Sequence, residues 1–408
     1  MSLNNKILLG AILGLFLGYM LRNYAADSAL TSSIVYSAGL VGSLFIGLLK
    51  MVLIPLVFSS IVVGVANLRA HQQMHRVWQI TLLCFACTTT LAIILGLGAA
   101  HVFETGKGLS LHLFEANLQG FEASQLSTGE FLQSLVKNVF VNPFTALSQG
   151  NILAVVVFAL FIGVALAVKG ETYPKLHALF NEGFALCMQL VGWIMQLAPL
   201  GIMALLFKLV LSENSALLGT LAQFIAVVIG TTLLHGIVIL PLVLWLFARV
   251  SPFTFWRGAR PALLTAFATS SSAATIPVTL NCLEKDLKVS PQISGFVVPL
   301  GAQINMDGTA LYEAAAALFV ANLVGIELGL GQQIILCVTV MLASIGAPGI
   351  PSAGMVTMVM VLQSVGLPAE AIAILLPIDR LLDTVRTAVN VEGDMVTSLI
   401  VDKRTQLG

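Results

Sequence analysis

Apolar runs separated by short polar gaps fill the first 250 residues: ILLGAILGLFLGYML, VGSLFIGLLKMVLIPLVFSSIVVGVA, ITLLCFACTTTLAIILGLGAA, ILAVVVFALFIGVALAV and FIAVVIGTTLLHGIVILPLVLWLF. Each approaches or exceeds the roughly 20 residues that a helix needs to cross a bilayer. The pattern predicts six spans, at roughly 5–22, 35–67, 77–103, 130–168, 177–210 and 218–248. Several are longer than a bilayer requires, which implies strong tilt or protruding ends. The polar stretch 106–131 reads as an external loop. No segment shows the alternating ~10-residue pattern of a membrane β-barrel.

The last 155 or so residues follow another rule. Their apolar runs are interrupted by TAFATSSSAATIP at 265–277, PLGAQINMDGTALYE at 299–313 and ASIGAPGIPSAG at 343–354. Gly and Pro at this density stop a helix. Non-helical backbone at membrane depth survives only inside protein or beside a water-filled cavity. Two re-entrant hairpins are therefore expected, at 253–285 and 329–366. An internal echo supports them. SSSAATIP is followed by Asn305-Met306-Asp307-Gly308, and SIGAPGIP by Asn390-Val391-Glu392-Gly393. Interrupted segments at matching places in two repeats mark a transporter's binding site.

Composition sharpens the picture. Only 9% of the chain is charged and 58% is hydrophobic, and mean hydropathy is +0.98. Soluble globular domains carry about 25% charged residues, so this is a polytopic membrane protein. The net charge is zero and suggests no nucleic-acid partner. The first apolar run lacks a small-residue cleavage pattern and reads as a retained helix. Basic residues fall in alternate loops: Lys6, Arg69 and Arg76, Lys169 and Lys175, Arg249, Arg257 and Arg260, Lys403 and Arg404. The loops between hold Arg22, Lys107, Lys137 and Lys208. By the positive-inside rule both termini are cytoplasmic, in the cell (inner) membrane. Cys84 and Cys87 form a C-x-x-C on a predicted span with no His or acid beside them, which points to packing rather than redox or metal chemistry.

One segment defies the scarcity of charge. DRLLDTVRTAVNVEGD, residues 379–394, holds six charged residues between apolar flanks. On a helix at about 100° per residue, Asp379, Arg386, Thr387, Asn390 and Asp394 fall within about 60° of Asp383. An ionised group at the bilayer centre costs at least about 2.5–3.5 kcal/mol, so this stripe faces a cavity or partner charges. A packing ion pair between Asp383 and Arg386 would contribute little stability. As a binding surface every group has a use. Arg386 offers a fork for a carboxylate. Asp383 suits an ammonium, Asn390 bridges a second polar group, and Asp394 suits a hard cation such as Na⁺. Asn305 and Asp307 add oxygen ligands for a cation. Ser270, Ser271 and Ser272 present hydroxyls and half-helix amides to a carboxylate. Glu313 is either a proton carrier or a glutamate at the cavity edge.

With these motifs the chain resembles the dicarboxylate/amino acid:cation symporter family, which includes the excitatory amino acid (glutamate) transporters and prokaryotic homologues. The resemblance spans essentially the whole chain, and SSSAATIP, NMDGTALYE, SIGAPGIPSAG and DRLLDTVRTAVNVEGD carry it. It implies an all-α polytopic fold of eight transmembrane helices and two re-entrant helical hairpins, with inverted repeats, working as an elevator-type transporter. It also implies a homotrimer. Each subunit would have a scaffold from roughly 1–70 and 130–210 and a mobile transport domain from roughly 77–103 and 218–408. Carried over residue by residue, the substrate site comprises Ser271, Ser272, Thr309, Ile350, Gly354, Asp383, Arg386, Thr387 and Asn390. One Na⁺ site matches Gly301, Asn305, Asn390 and Asp394. Another matches Thr89, Thr90, Asn305 and Asp307, and a third Gln303, Met306, Ser344, Ile345 and Ala347. In the family's eukaryotic members the glutamate matching Glu313 carries a proton.

The chain departs from the family pattern in places. Ala273 stands where a further serine is usual, Pro348 where a small residue is, and Ala86 where a tyrosine is common. A further site arginine of the relatives is absent, Ser270 and Thr384 standing in its two known places. Proton-driven relatives tend to lack the acid matching Asp394, so its presence favours Na⁺. The expected function is sodium-coupled import of L-glutamate or L-aspartate by alternating access, with H⁺ and K⁺ as further candidate ions. The alternative is a proton-coupled glutamate/C4-dicarboxylate or neutral amino acid symporter. Asp383 argues against plain dicarboxylates and Arg386 against neutral substrates. A channel is a third class. An enzyme would need a nucleophile with a base, and no histidine lies beside Ser270–Ser272 in the sequence.

Overall fold

The structure, a computed structural model, describes residues 3–24, 29–66, 75–107, 137, 140–149, 151–169, 172–212, 216–346 and 353–406. Among these residues every regular element is helical. In chain order the helices are α1 (Leu3–Tyr24), α2 (Ala29–Ala66), α3 (His75–Val102), α4 (Pro143–Gln149), α5 (Ile152–Lys169), α6 (Pro174–Ser212), α7 (Ala216–Leu234) and α8 (Leu240–Ala248). They continue as α9 (Pro252–Thr269), α10 (Ser272–Asn281), α11 (Pro291–Ile304), α12 (Asp307–Leu323), α13 (Leu330–Gly346), α14 (Ala353–Ser364) and α15 (Ile372–Gln406). This is an all-α polytopic membrane protein. Among the described residues, two helical stretches, Arg76–Val102 and Gly219–Ala248, are by themselves long and apolar enough to cross a bilayer.

Five of the six expected spans agree with the helices within a few residues. The stretch 130–168 does not form one span over its described part. There the chain breaks between α4 and α5, because two polar side chains cap new helix starts. The Phe144 N–H donates to Asn142 Oδ1 (2.9 Å) and the Ala154 N–H to Asn151 Oδ1 (3.2 Å). Most of the polar stretch 106–131 lies outside the described residues.

Two groups of helices pack among themselves. In the first, α1, α2 and α5 surround the long α6 or each other. Gly10, Gly14 and Gly18 are spaced at four residues on α1 and meet the carbonyls of Pro199, Met203 and Phe207 on α6. A Cβ at any of the three would collide with backbone. Small residues at this spacing let membrane helices approach closely. The α6 axis bends by 50° between its halves Pro174–Ile194 and Gln196–Lys208. Pro199 accounts for the bend, since its ring removes a helix hydrogen bond.

In the second group α15 is the central post, contacted by α3, α7 to α12 and α14. Both segments expected to form hairpins are pairs of packed helices here. The first is α9 and α10, which turn at Ser270 in the left-handed region (φ 51°). The second is α13 and α14, packed side by side; its tip, 347–352, lies outside the described residues. Between α11 and α12 the backbone unwinds at Asn305 and Met306 (φ −116° and −117°). Helix breaks therefore meet the middle of α15 where its polar stripe lies.

Candidate functional site

The site is assembled by backbone contact before any side chain is considered. Gly308, at the start of α12, lies on the backbone of Arg386: a Cβ there would sit 2.6 Å from the Arg386 carbonyl oxygen and 2.8 Å from its Cα. Gly301 on α11 likewise abuts the Asp394 carboxylate, and Gly393 abuts Asn305 and Asp307. Three glycines thus press the unwound 305–306 segment onto α15. Asn390 secures the joint. Its Oδ1 accepts the Gly308 N–H (2.8 Å) and its amide donates to Thr309 Oγ1 (3.3 Å).

Arg386 is wholly buried, and by volume it heads the fully buried side chains among the described residues. Its Nη2 donates to Asp379 Oδ1 (2.6 Å) and to Asp383 Oδ1 (3.0 Å). Its guanidinium lies 4.1 Å from the centroid of the Tyr312 ring, a cation–π contact worth most when desolvated. Nε and Nη1 have no partner among the described residues, nor has Asp379 Oδ2. A buried donor left unmade costs about 1–3 kcal/mol, more when charged, so these two unpartnered nitrogens call for an incoming acceptor such as a carboxylate. A Cβ on Gly354 of the second hairpin would lie 3.9 Å from Nη1 and Nη2. Thr309 and Thr387 are buried beside them.

At the first hairpin's tip, Ser271 caps α10 by accepting the Ala274 N–H on its Oγ (3.1 Å). Ser270, Ser271 and Ser272 are all buried. An N-terminal helix end offers amide groups to an anion.

Two more carboxylates lie below this pocket along α15 and α12. Asp394 and Asp307 are buried to within 1%. Asn305 donates to Asp394 Oδ1 (3.0 Å) and keeps its own Oδ1 without a partner. Asp307 Oδ1 accepts from Thr89 (2.7 Å) and Thr88 (3.3 Å), and its Oδ2 lies 3.3 Å from His235 Nε2. Buried carboxylates with hydroxyl and amide neighbours are strongly unfavourable without a cation. Oxygen donors of this kind suit a hard monovalent ion.

Of the expected site residues, direct contacts join Thr89, Gly301, Asn305, Asp307, Thr309, Gly354, Asp383, Arg386, Asn390 and Asp394. Thr90 is not among them. Its side chain is exposed and donates to the Ala86 carbonyl (2.6 Å), while Thr88 takes the place beside Asp307. Gln303 is half-buried near the end of α11, and Met306 is buried in the unwound segment. Ser344 is buried with its hydroxyl on the Met341 carbonyl (2.8 Å), and Ile345 is half-buried. Ile350 and Ala347 lie outside the described residues.

Glu313 is fully buried on α12. Its Oε1 accepts from Thr357 of α14 (2.5 Å), and its Oε2 has no partner among the described residues. Glu313 thus joins α12 to the second hairpin and is closed off from solvent.

Sequence reasoning missed five residues that touch these groups: Asp379, Tyr312, Thr88, Thr357 and His235. Asp379 sits on the polar stripe, one signal that was available. His235 is a lone histidine in the apolar run TTLLHGIVILP, and it marks a π-helical turn, His235–Ile239. Such single-turn bulges are frequent at functional sites.

Comparison with known proteins covers nearly the whole chain. A model of the sodium:dicarboxylate symporter family matches residues 3–404. Excitatory amino acid transporter 3 of Homo sapiens is 35% identical, with 98% of this chain and 86% of the relative aligned. Excitatory amino acid transporter 3 of Oryctolagus cuniculus is also 35% identical over the same shares. An excitatory amino acid transporter of Onchocerca volvulus is 33% identical over 96% of this chain and 87% of its own length.

Proposed function

The chain belongs to the sodium:dicarboxylate symporter family, and on that premise we propose that it is a sodium-coupled secondary symporter importing acidic amino acids by alternating access. The family's sodium:dicarboxylate symporter description and the relatives' excitatory amino acid transporter names support this reading. The observation that carries it is the half-used fork of Arg386. A buried guanidinium holds two acids with one nitrogen and leaves Nε and Nη1 without a partner among the described residues. A side-chain carboxylate can accept a charge-assisted hydrogen bond from Nη1. The ammonium of the same ligand goes to Asp383, and its α-carboxylate to the Ser270–Ser272 tip.

Na⁺ is a co-transported substrate. Asp394 with Asn305 and Gly301 forms one candidate site. Asp307 with Thr89 and Thr88 forms the second, and Thr88 replaces Thr90 in that role. Asn390 contributes to both pockets by bracing Gly308 and Thr309. A third candidate site uses Gln303, Met306, Ser344 and Ile345. Substrate and Na⁺ sites share the unwound 305–306 segment, which couples them: a cation that stiffens it also fixes Thr309 and Gly308 under the substrate.

In this reading α1, α2, α5 and α6 form the scaffold and α3 with α7 to α15 the moving unit, within a homotrimer in the cell membrane with both termini cytoplasmic. The tilted, glycine-tight packing of α1 on α6 supports a rigid scaffold. Glu313 is the proton carrier, and K⁺ is a candidate counter-ion. The test is uptake of labelled aspartate into proteoliposomes with Na⁺, H⁺ and K⁺ gradients varied one at a time. Uptake driven by an inward Na⁺ gradient alone is the expected result. Uptake indifferent to Na⁺ and driven by H⁺ would overturn it.

A further inference from the structure

The acid expected to hold the substrate's amino group is not empty-handed. Asp383 has a guanidinium at each of its oxygens. Arg386 Nη2 is 3.0 Å from Oδ1, and Arg380 Nη1 is 3.4 Å from Oδ2. On a helix Arg380 and Arg386 lie about 60° to either side of Asp383, so they bracket it. The two arginines differ in freedom. The Arg386 side chain is 0% exposed and also clamped by Asp379 at 2.6 Å. The Arg380 side chain is 14% exposed, and its contact is long for a hydrogen bond.

We propose that Arg380 is an internal stand-in for the substrate's ammonium on Asp383, and so sets how strongly the site selects ligands that carry an amino group. This rests on the site reading above. In the free site, Asp379 and Asp383 are balanced by Arg380 and Arg386, two charges against two. An arriving ammonium needs an oxygen of Asp383. Oδ1 belongs to the immobile Arg386, so Oδ2 is the one to share, and two cations at one oxygen repel. The partly exposed Arg380 therefore yields Oδ2 as the ammonium arrives, and its long stem lets the guanidinium swing toward open space. A ligand with two carboxylates and no ammonium leaves Arg380 in place, and Asp383 remains paired. Plain dicarboxylates are therefore not excluded by Asp383, contrary to what that residue implied when read alone.

Removing the Arg380 charge must then act oppositely on the two ligand types. It removes the competing cation near Oδ2, and it leaves Asp383 with one guanidinium fewer beside a ligand that lacks an ammonium. The experiment is competition against labelled L-aspartate at fixed Na⁺, using unlabelled L-aspartate and succinate, for the wild type, Arg380→Gln and Arg380→Lys. In the wild type succinate competes measurably. In Arg380→Gln the preference for aspartate over succinate rises by at least about tenfold, which corresponds to about 1.4 kcal/mol between the two ligands. Arg380→Lys, which keeps a cation on a flexible stem, stays within about threefold of the wild type. A merely structural Arg380 would shift both ligands together. An unchanged ratio in Arg380→Gln overturns the proposal, as does a wild type that succinate does not inhibit at all. A wild type that binds no aspartate in Na⁺ overturns the reading of the whole site along with it.

Discussion

Nη2 of Arg386 lies 2.6 Å from Oδ1 of Asp379, seven residues earlier on the same helix. Two helical turns bring these groups onto one face, and the contact orients the whole guanidinium. With Nη2 committed to two acids, the plane of the fork is set against the Tyr312 ring. Nη1 and Nη2 then lie 3.9 Å from where a Cβ on Gly354 of the second hairpin would stand. Asp379 therefore fixes Nη2 and leaves Nε and Nη1 without a partner among the described residues.

Arg386→Ala removes the fork. Losing one partner of a desolvated charge pair costs about 2–5 kcal/mol, so affinity for acidic amino acids should fall by tens to thousands of fold. Folding should persist, with the vacated space open to neutral side chains. Binding of aspartate and of a neutral amino acid to purified variant protein checks both halves. Unchanged aspartate affinity would remove Arg386 from the site.

Asp379→Asn keeps the shape and removes a charge. The ligand-free protein should melt earlier, because removing one partner of a buried pair costs about 3–5 kcal/mol and an isosteric amide retains part of the contact. Added aspartate supplies a carboxylate to the same guanidinium. The ligand-induced rise in melting temperature should therefore be larger in the variant than in the wild type. An equal rise in both would mean that Asp379 and the ligand do not share Arg386.

Asp394→Asn should weaken the dependence of aspartate binding on Na⁺. Linkage requires Na⁺ to raise aspartate affinity by the factor by which aspartate raises Na⁺ affinity. Titrating aspartate at several Na⁺ concentrations gives that factor for each protein. A wild-type affinity that does not vary with Na⁺ would remove Asp394 from cation binding.

Glu313→Gln keeps an acceptor for the Thr357 hydroxyl and cannot carry a proton. Wild-type uptake should respond to an imposed pH gradient, and the variant should transport without that response. Paired uptake measurements at matched Na⁺ gradients decide it. A wild type already indifferent to the pH gradient leaves Glu313 as a bridge between α12 and α14 only.

Gly308→Ala tests the joint. The added methyl meets the backbone of Arg386 at 2.6 Å, and backbone cannot step aside as a side chain can. Overpacking of this kind costs about 1–3 kcal/mol. Because Gly308 seats both the substrate and cation pockets, affinity for aspartate and for Na⁺ should fall together. A drop in only one of them would separate the two pockets.

The apolar pattern of the chain was enough to place five of the six expected spans and the polar stripe of α15. Apolar length and helix-breaking residues act locally, and a bilayer leaves the backbone few alternatives to helix. Periodicity also put Asp379, Asp383, Arg386, Asn390 and Asp394 on one face. It could not say which of them bond to one another. Asp379 was on the stripe, but its grip on Arg386 depends on the rotamer that the Tyr312 ring and the second hairpin impose. Thr88, Thr89 and Thr90 show the limit more sharply. A helix repeat tells that two adjacent threonines share a side, yet the rotation of α3 about its own axis decides which two. That rotation is settled where Gly96 abuts the Leu311 carbonyl, and it turns Thr90 away from Asp307. His235 and Asp307 are 72 residues apart and meet only because α15 gathers α7 and α12 around it. The Arg380 bracket on Asp383 has the same origin. Spacing allows the contact, and only packing, which buries Arg386 and leaves Arg380 a partly open side, distinguishes the fixed guanidinium from the one that can yield.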